Sequence, residues 1–347
     1  MDWRAITVDE IETCLTIAPR AIGDELVGRA RAVAAWQSVL RSGALTCAAV
    51  VHDDGRIIGF GGAVFVSEDF VHDELRVPAP GLNARIVASV DAGRPVVLGE
   101  RDVAAANAGY GLSVVFVDAS VRPDLPLSVR AQAEGQIATA CFHTLNGYRL
   151  RRALREAVSA EALESIRSQR IFATIDPLDR FFRLHPDSGW NRDRALAVAD
   201  REDCLAVPGS IAAILFSYRE PVLGLTRHHQ QLLAAALRGL TDDELARSLG
   251  LKLPAVKKRW VSVFEHIVRA KPSILPGGAD GGEREGRGPQ KRHRVLAYLR
   301  DHPEELRPHD GAIVRVGARQ ADSAGWPPGR LDVGQPGGSV VVRVRNR

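Results

Sequence analysis

The sequence predicts an α/β N-terminal domain followed by an all-α C-terminal domain of helix-turn-helix type. Three observations lead there. Between about residues 44 and 145, strand-length apolar runs alternate with helical ones, the pattern of an α/β sheet. From Val222 to about Lys271 only helical spacing remains. Charge divides at the same place. Val222 onward carries 22 Lys/Arg against 13 Asp/Glu, a net of +9, which leaves −5 for residues 1–221 of a chain whose total is +4. Basic surface favours nucleic acid through counterion release.

Residues 1 to about 43 show helical spacing in "VDEIETCLTIAP" and "DELVGRARAVAAWQSVLRSG", with Gly43 as a helix-ending residue. "ALTCAAVVHDDGRIIGFGGAVFV" reads as a hairpin turning at Asp54-Gly55. Both of its strands are apolar on successive residues, so both faces should be buried. Gly59, Gly61 and Gly62 mark a bulge or a close backbone approach. "LNARIVASVDAG" reads as a helix, "RPVVL" as a strand, "ERDVAAANAG" as a helix, "LSVVFVDASV" as a strand and "LSVRAQAEGQIATACFHTL" as a long helix. "RRALREAVSAEALESIRSQ" has the composition of a further helix. The expected domains are 1–185 (α/β, sensor-like), 186–221 (a connector), 222–271 (helix-turn-helix) and 272–347. The last begins with the Gly-rich linker "PGGADGGEREGRGPQ", continues through the short helix "KRHRVLAYLRDHPEEL", and ends in a basic tail from Arg307 expected to be disordered.

Apolar residues make up 45% and aromatics 5%, so the core should be rich in Ala, Val and Leu. Cys14, Cys47, Cys141 and Cys204 form no CxxC pair, which argues against a disulfide framework or structural zinc and for free thiols in a reducing cytoplasm. No signal peptide and no membrane-length apolar run are visible.

The helical unit is the most informative stretch. Thr226 caps "RHHQQLLAAALRG", with Leu232, Leu233, Ala236 and Leu237 on one face and Gly239 at its end. Thr241 caps "DDELARSL", and Glu244 three residues on completes a T-x-x-E capping box. Gly250 sits where a tight turn requires positive φ. From about Leu253 to Ile267, Val256, Trp260, Val263, Phe264 and Ile267 form one stripe, and Lys257 and Lys258 fall off it. Two helices joined by a short Gly turn, the second with an exposed cationic face, suit a major groove flanked by phosphates. A packed three-helix unit that binds protein is the other reading of this pattern.

At these residues the chain resembles the DNA-binding domain of LuxR/GerE-type transcription regulators. Gly239-Leu240-Thr241 with Glu244-Leu245-Ala246, and Leu249-Gly250-Leu251 with Val256-Lys257, fall in register with that family's pattern. Three positions depart from it: Lys252 stands where Ser or Thr caps the recognition helix, Ala255 where Thr precedes Val-Lys, and Arg259 where His is usual. The resemblance implies a bacterial-type cytoplasmic regulator that binds double-stranded DNA as a homodimer and responds to a small-molecule effector. Lys252, Lys257, Lys258, Arg259 and Ser262 would face the DNA.

The order of helices, hairpin, helix and strand over residues 5–145 is similar to a GNAT-type acyltransferase fold. That resemblance implies an acyl-CoA site at a "[RQ]-x-x-G-x-[GA]" turn. The nearest segment is "QAEGQI" (132–137), which ends in Ile and lies within helical spacing. An acyltransferase with an appended nucleic-acid-binding domain is therefore the alternative, and acetyl-CoA is expected only under it. Otherwise no cofactor, metal or catalytic residue is expected. His143 and the pair His228-His229 lack metal-site spacing, and His72-Asp73-Glu74 reads as a solvated loop.

Overall fold

The computed structural model describes residues 1–18, 22–169, 171–275 and 288–310. In chain order the front half runs β1 (Asp2–Ala5), α1 (Ile11–Ile17), α2 (Arg29–Arg41), β2 (Leu45–Val51), β3 (Ile57–Val66), α3 (Glu68–Arg76), α4 (Leu82–Asp91) and α5 (Glu100–Ala108). It continues through β4 (Leu112–Val121), α6 (Leu127–Leu145), β5 (Leu150–Ala157), α7 (Ala160–Gln169), β6 (Thr174–Asp176), α8 (Asp179–Leu184), β7 (Ala195–Asp200), α9 (Arg201–Leu205) and α10 (Ile211–Phe216). Four helices follow: α11 (Arg227–Leu237), α12 (Asp242–Ser248), α13 (Leu253–Ala270) and α14 (Gly288–Asp301). None of the described helices is long and apolar enough to cross a membrane.

The strands form one mixed sheet in the order β1-β2-β3-β4-β5-β7-β6. β4 and β5 are parallel, and the other neighbours are antiparallel. A parallel pair needs a crossover, and α6 supplies it. Pairing of β4 with β5 ends at Phe116–Arg155, although β4 runs on to Val121. One face of the sheet carries the core built around Trp36, Phe60, Leu82 and Ile86, where the Trp36 indole N–H donates to Ile22 O at 2.9 Å. The other face packs Phe65, Leu112, Leu150 and Phe216, and α6 lies over β2 and β3 through Ala133 and Ile137.

The glycines of β3 permit that last contact. A Cβ on Gly61 would stand 2.5 Å from Ile137 Cγ2 and 3.2 Å from Cys141 Sγ. The β3–β4 register also shifts between Gly62 and Ala63. Both devices expected of the Gly-rich strand, bulge and close approach, are therefore present. Gln132–Ile137 is interior to α6, so its backbone N–H groups serve the helix and form no phosphate-holding turn.

Several elements differ from the sequence reading. Residues 2–5 form an edge strand on β2, within a stretch expected to be helical. His72, Asp73 and Glu74 lie on α3, not in a loop, and the buried Glu74 carboxylate accepts from Arg85 Nε at 2.7 Å. "RPVVL" makes only an isolated bridge, Val66 to Val97. Residues 150–157, rich in helix formers, are strand β5 because tertiary partners outweigh propensity. Arg152 pairs with Asp200 at 2.6 Å, and Glu156 accepts from Gly81 N, Leu82 N and Arg194, each at 2.8 Å. The expected connector, 186–221, contributes β7 to the sheet and α10 to the core.

The end of the described chain returns to the sheet. Arg307 donates to His143 O and Asn146 O at the C-terminus of α6 (2.6 and 2.8 Å) and covers the Tyr148 ring. Asn107 donates to Pro308 O at 2.8 Å. Gly147, at φ +90°, admits this strap, since a Cβ there would meet Glu304 N at 2.6 Å. Arg307–Asp310 are thus placed, contrary to the expected disorder from Arg307. The remainder of that tail, and most of the Gly-rich linker, lie outside the described residues.

Gly61→Ala forces the new methyl against Ile137. It should lower stability by about 1–3 kcal/mol, the usual effect of overpacking. Urea denaturation followed by circular dichroism measures it, and an unchanged midpoint would mean that α6 does not approach β3 so closely.

Candidate nucleic-acid interface

The three helices α11, α12 and α13 enclose one core of Leu225, Leu232, Leu233, Ala236, Leu245, Val256, Trp260, Val263 and Ile267. Their ends are set by short-range chemistry. Thr226 Oγ1 accepts from His229 N at 3.3 Å, starting α11, and Gly239 at φ +82° ends it. At α12, Thr241 Oγ1 accepts from Glu244 N at 3.4 Å while Glu244 Oε2 accepts from Thr241 N at 2.8 Å. Donation from Thr241 N, and from Thr241 Oγ1 at 2.8 Å, holds the Glu244 carboxyl below its usual range. Gly250, at φ +64°, turns the chain into α13. Lys252 occupies the N-cap position of α13 without a side-chain cap bond, and Pro254 falls in its first turn, where no helical N–H is lost.

α13 divides its surface between packing and solvent. Val256, Trp260, Val263 and Ile267 are buried, and Lys252, Lys257 and Lys258 are exposed. With 3.6 residues per turn, Lys257 and Lys258 lie roughly 100° and 200° around the helix from Val256, and Arg259 roughly 300°. The three cations therefore do not share one direction. Lys258 faces away from the core, Lys257 lies on one flank, and the half-buried Arg259 lies on the other, where its charge acts on His229 of α11. Ser262 is exposed as a residue, yet its hydroxyl is 3.1 Å from His229 Nε2. A polar contact from Ser262 would share the hydroxyl with that histidine.

Two clusters hold α13 from its sides, and neither was visible in the sequence. On one, His229 packs edge-on against His266 with ring centroids 5.3 Å apart, and His266 Nε2 is 2.7 Å from Leu223 O. On the other, Arg292 of α14 stands 4.7 Å over the Trp260 ring and makes a two-pronged pair with Asp242 at 2.8 and 2.9 Å. Val295 and Leu299 of α14 complete the core, together with Ile274 and Leu275. The helical unit is therefore larger than the expected 222–271. A Leu/Val pair four residues apart in "RVLAYL" is the one sequence signal that α14 had an apolar face to bury.

Burial is the main cause that lowers the His229 pKa, followed by the charges of His266, Arg259 and His228. Among the described residues, no group of three or more His, Cys, Asp or Glu is placed to hold a metal ion. No protein-family model matches the chain, and no curated protein matches it in sequence.

Thr241→Ala removes the oxygen that accepts from Glu244 N and should destabilise the chain by about 0.5–2 kcal/mol. An unchanged melting temperature would show that α12 does not depend on this cap. Protonation gives a second expectation. The folded state resists charging His229, so the unfolded state binds more protons as pH falls below about 6.5. Stability is full above that pH and declines below it, through the lowered folded value. His229→Gln should flatten the decline, read as the urea midpoint from pH 8 to pH 5 in both proteins. Parallel curves would remove His229 as its source.

Proposed function

We propose that the chain is a cytoplasmic, sequence-specific DNA-binding regulator of transcription, working as a homodimer, whose front half responds to a small-molecule effector. The observation that carries this reading is the two-sided α13. Four apolar residues seat it on the core, and Lys257 and Lys258 point outward from a short Gly turn. In this arrangement α12 and α13 form a helix-turn-helix. α13 lies in the major groove, and its cations position it on the phosphates.

At the acidic start of α12, Asp242 is neutralised by Arg292 and Glu244 is tied to Thr241, while Asp243 stays exposed. Lys252, exposed at the start of α13, adds charge where helix N–H groups also favour phosphate. Arg259, turned toward α11, reaches a phosphate on the flank sooner than a base edge. The resemblance to LuxR/GerE-type domains supports the same conclusion on sequence grounds, and the four unpaired cysteines suit a reducing compartment.

The test is salt-dependent retention of genomic DNA fragments by the full chain. If Lys257 and Lys258 neutralise phosphates, each alanine substitution should weaken binding across sequences and reduce the slope of log affinity against log salt by about 0.9. Stability should be nearly unchanged, since exposed charges contribute little to folding. A loss confined to one sequence would assign that lysine to base reading. If the double variant keeps wild-type affinity and slope, α13 is not the DNA-reading element and this function falls.

A further inference from the structure

A cavity of about 470 Å3 opens where β4 and β5 stop pairing, within the range of roughly 300–1,000 Å3 common for small-molecule sites. Its walls are apolar: Phe116 from β4, Ile137 and Phe142 from α6, Phe172 ahead of β6, and Leu215 from α10. Into this apolar lining comes one cation, the Arg155 guanidinium. Among the described residues Arg155 makes no hydrogen bond or ion pair. Burial pushes its pKa down, and the charge of Asp118 opposes that shift. Asp118 itself is occupied along its own strand, accepting from Ala119 N and Ser120 Oγ, both at 2.7 Å. Cys141, also in the wall, is pushed up to about 11 by burial, so at neutral pH it is a thiol and supplies no counter-charge. Glu134 lines the solvent-exposed rim, where water screens it.

A five-donor guanidinium with its pairing capacity unused, set in an apolar chamber, matches a planar anion on an apolar body. We infer that this cavity binds small organic carboxylates, with the carboxylate on Arg155 and an aliphatic or aromatic body against Phe116, Phe142 and Phe172. Binding follows from the cavity alone. That the ligand is the effector rests on the regulator reading, and on α10, which lines the cavity and leads in a few residues to Leu223 in the helical core.

Calorimetric titration of the full chain without DNA tests the site. The probes are octanoate and 3-phenylpropanoate, each beside its alcohol. The carboxylates should bind roughly ten- to a hundredfold tighter than the alcohols, the value of a charge-assisted hydrogen bond over a neutral one. Arg155→Gln should erase that preference while the alcohols bind as before, and Leu215→Trp should abolish binding of all four by filling the chamber. Equal affinity for acids and alcohols, a preference that survives Arg155→Gln, or no binding by any probe overturns the inference. So does acetyl-CoA binding that Arg155→Gln leaves intact while octanoate fails to compete. Loss of DNA retention with carboxylate binding preserved would remove the regulator reading and leave the site standing.

Discussion

The Glu305 carboxylate is the point on which the two halves of the molecule depend. It is almost wholly buried, and a polar group in that position is costly unless its oxygens are occupied. Val222 N and Leu223 N donate to its two oxygens at 3.1 and 3.0 Å, and the Tyr298 hydroxyl donates at 3.2 Å. One donor set belongs to the segment where the chain passes into the helical unit, and the other to α14, near where it leaves. Two residues beyond, Arg307 ties the same strap to α6. The packing of α14, the path of residues 217–223 and the contact with the sheet are therefore one coupled system. A change at any of them leaves a buried carboxyl oxygen without its donor.

The same economy of partners shapes α13. A helix that presents cations must be held by something other than those cations. Trp260 is fixed by Arg292, and Arg292 by Asp242, so this arginine is withdrawn from solvent-facing work. On the opposite flank the histidine pair and Ser262 play the equivalent part, and burial disfavours the charged form of His229. Lys257 and Lys258 are left with no packing duty, and the backbone behind them is immobilised from both sides. A contact surface mounted in this way loses little freedom on meeting a ligand.

Local chemistry was legible wherever it dominated. The hairpin at Asp54-Gly55, the span of α6 and the ends of α11 and α12 all depend on residues within a few positions of one another, and at Gly61 the missing side chain itself signalled the approach of Ile137. Elements decided by distant partners were not legible. β5 is written in Arg, Ala, Leu and Glu, a helical vocabulary, and becomes a strand because Asp200, Arg194 and the start of α4 receive its polar side chains. β7 is half alanine, with no β-branched run to announce it, and is specified by burial between two neighbours. At the candidate interface the cations and the apolar stripe could be read from spacing alone. The orientation of Arg259 toward α11 and the Ser262–His229 contact could not, because both depend on how α11 crosses α13. Arg155 carried no signal at all: one more arginine in an Arg-rich run becomes distinctive only when the chamber around it is seen.

The strap of residues 303–310 closes a circuit. The polypeptide leaves the sheet after α10, builds the helical unit and comes back to the sheet at α6, with departure and return meeting at one carboxylate. In topological terms the helical unit is an excursion moored at both ends, unlike a terminal domain on a single stalk. A body on one tether swings through a cone, whereas this one is held at both ends and is also paired to the front half through Arg227 of α11 and Glu100 of α5 at 2.8 Å. Severing the return at Arg307 would leave the helical unit with its own core intact but without its tie to the end of α6.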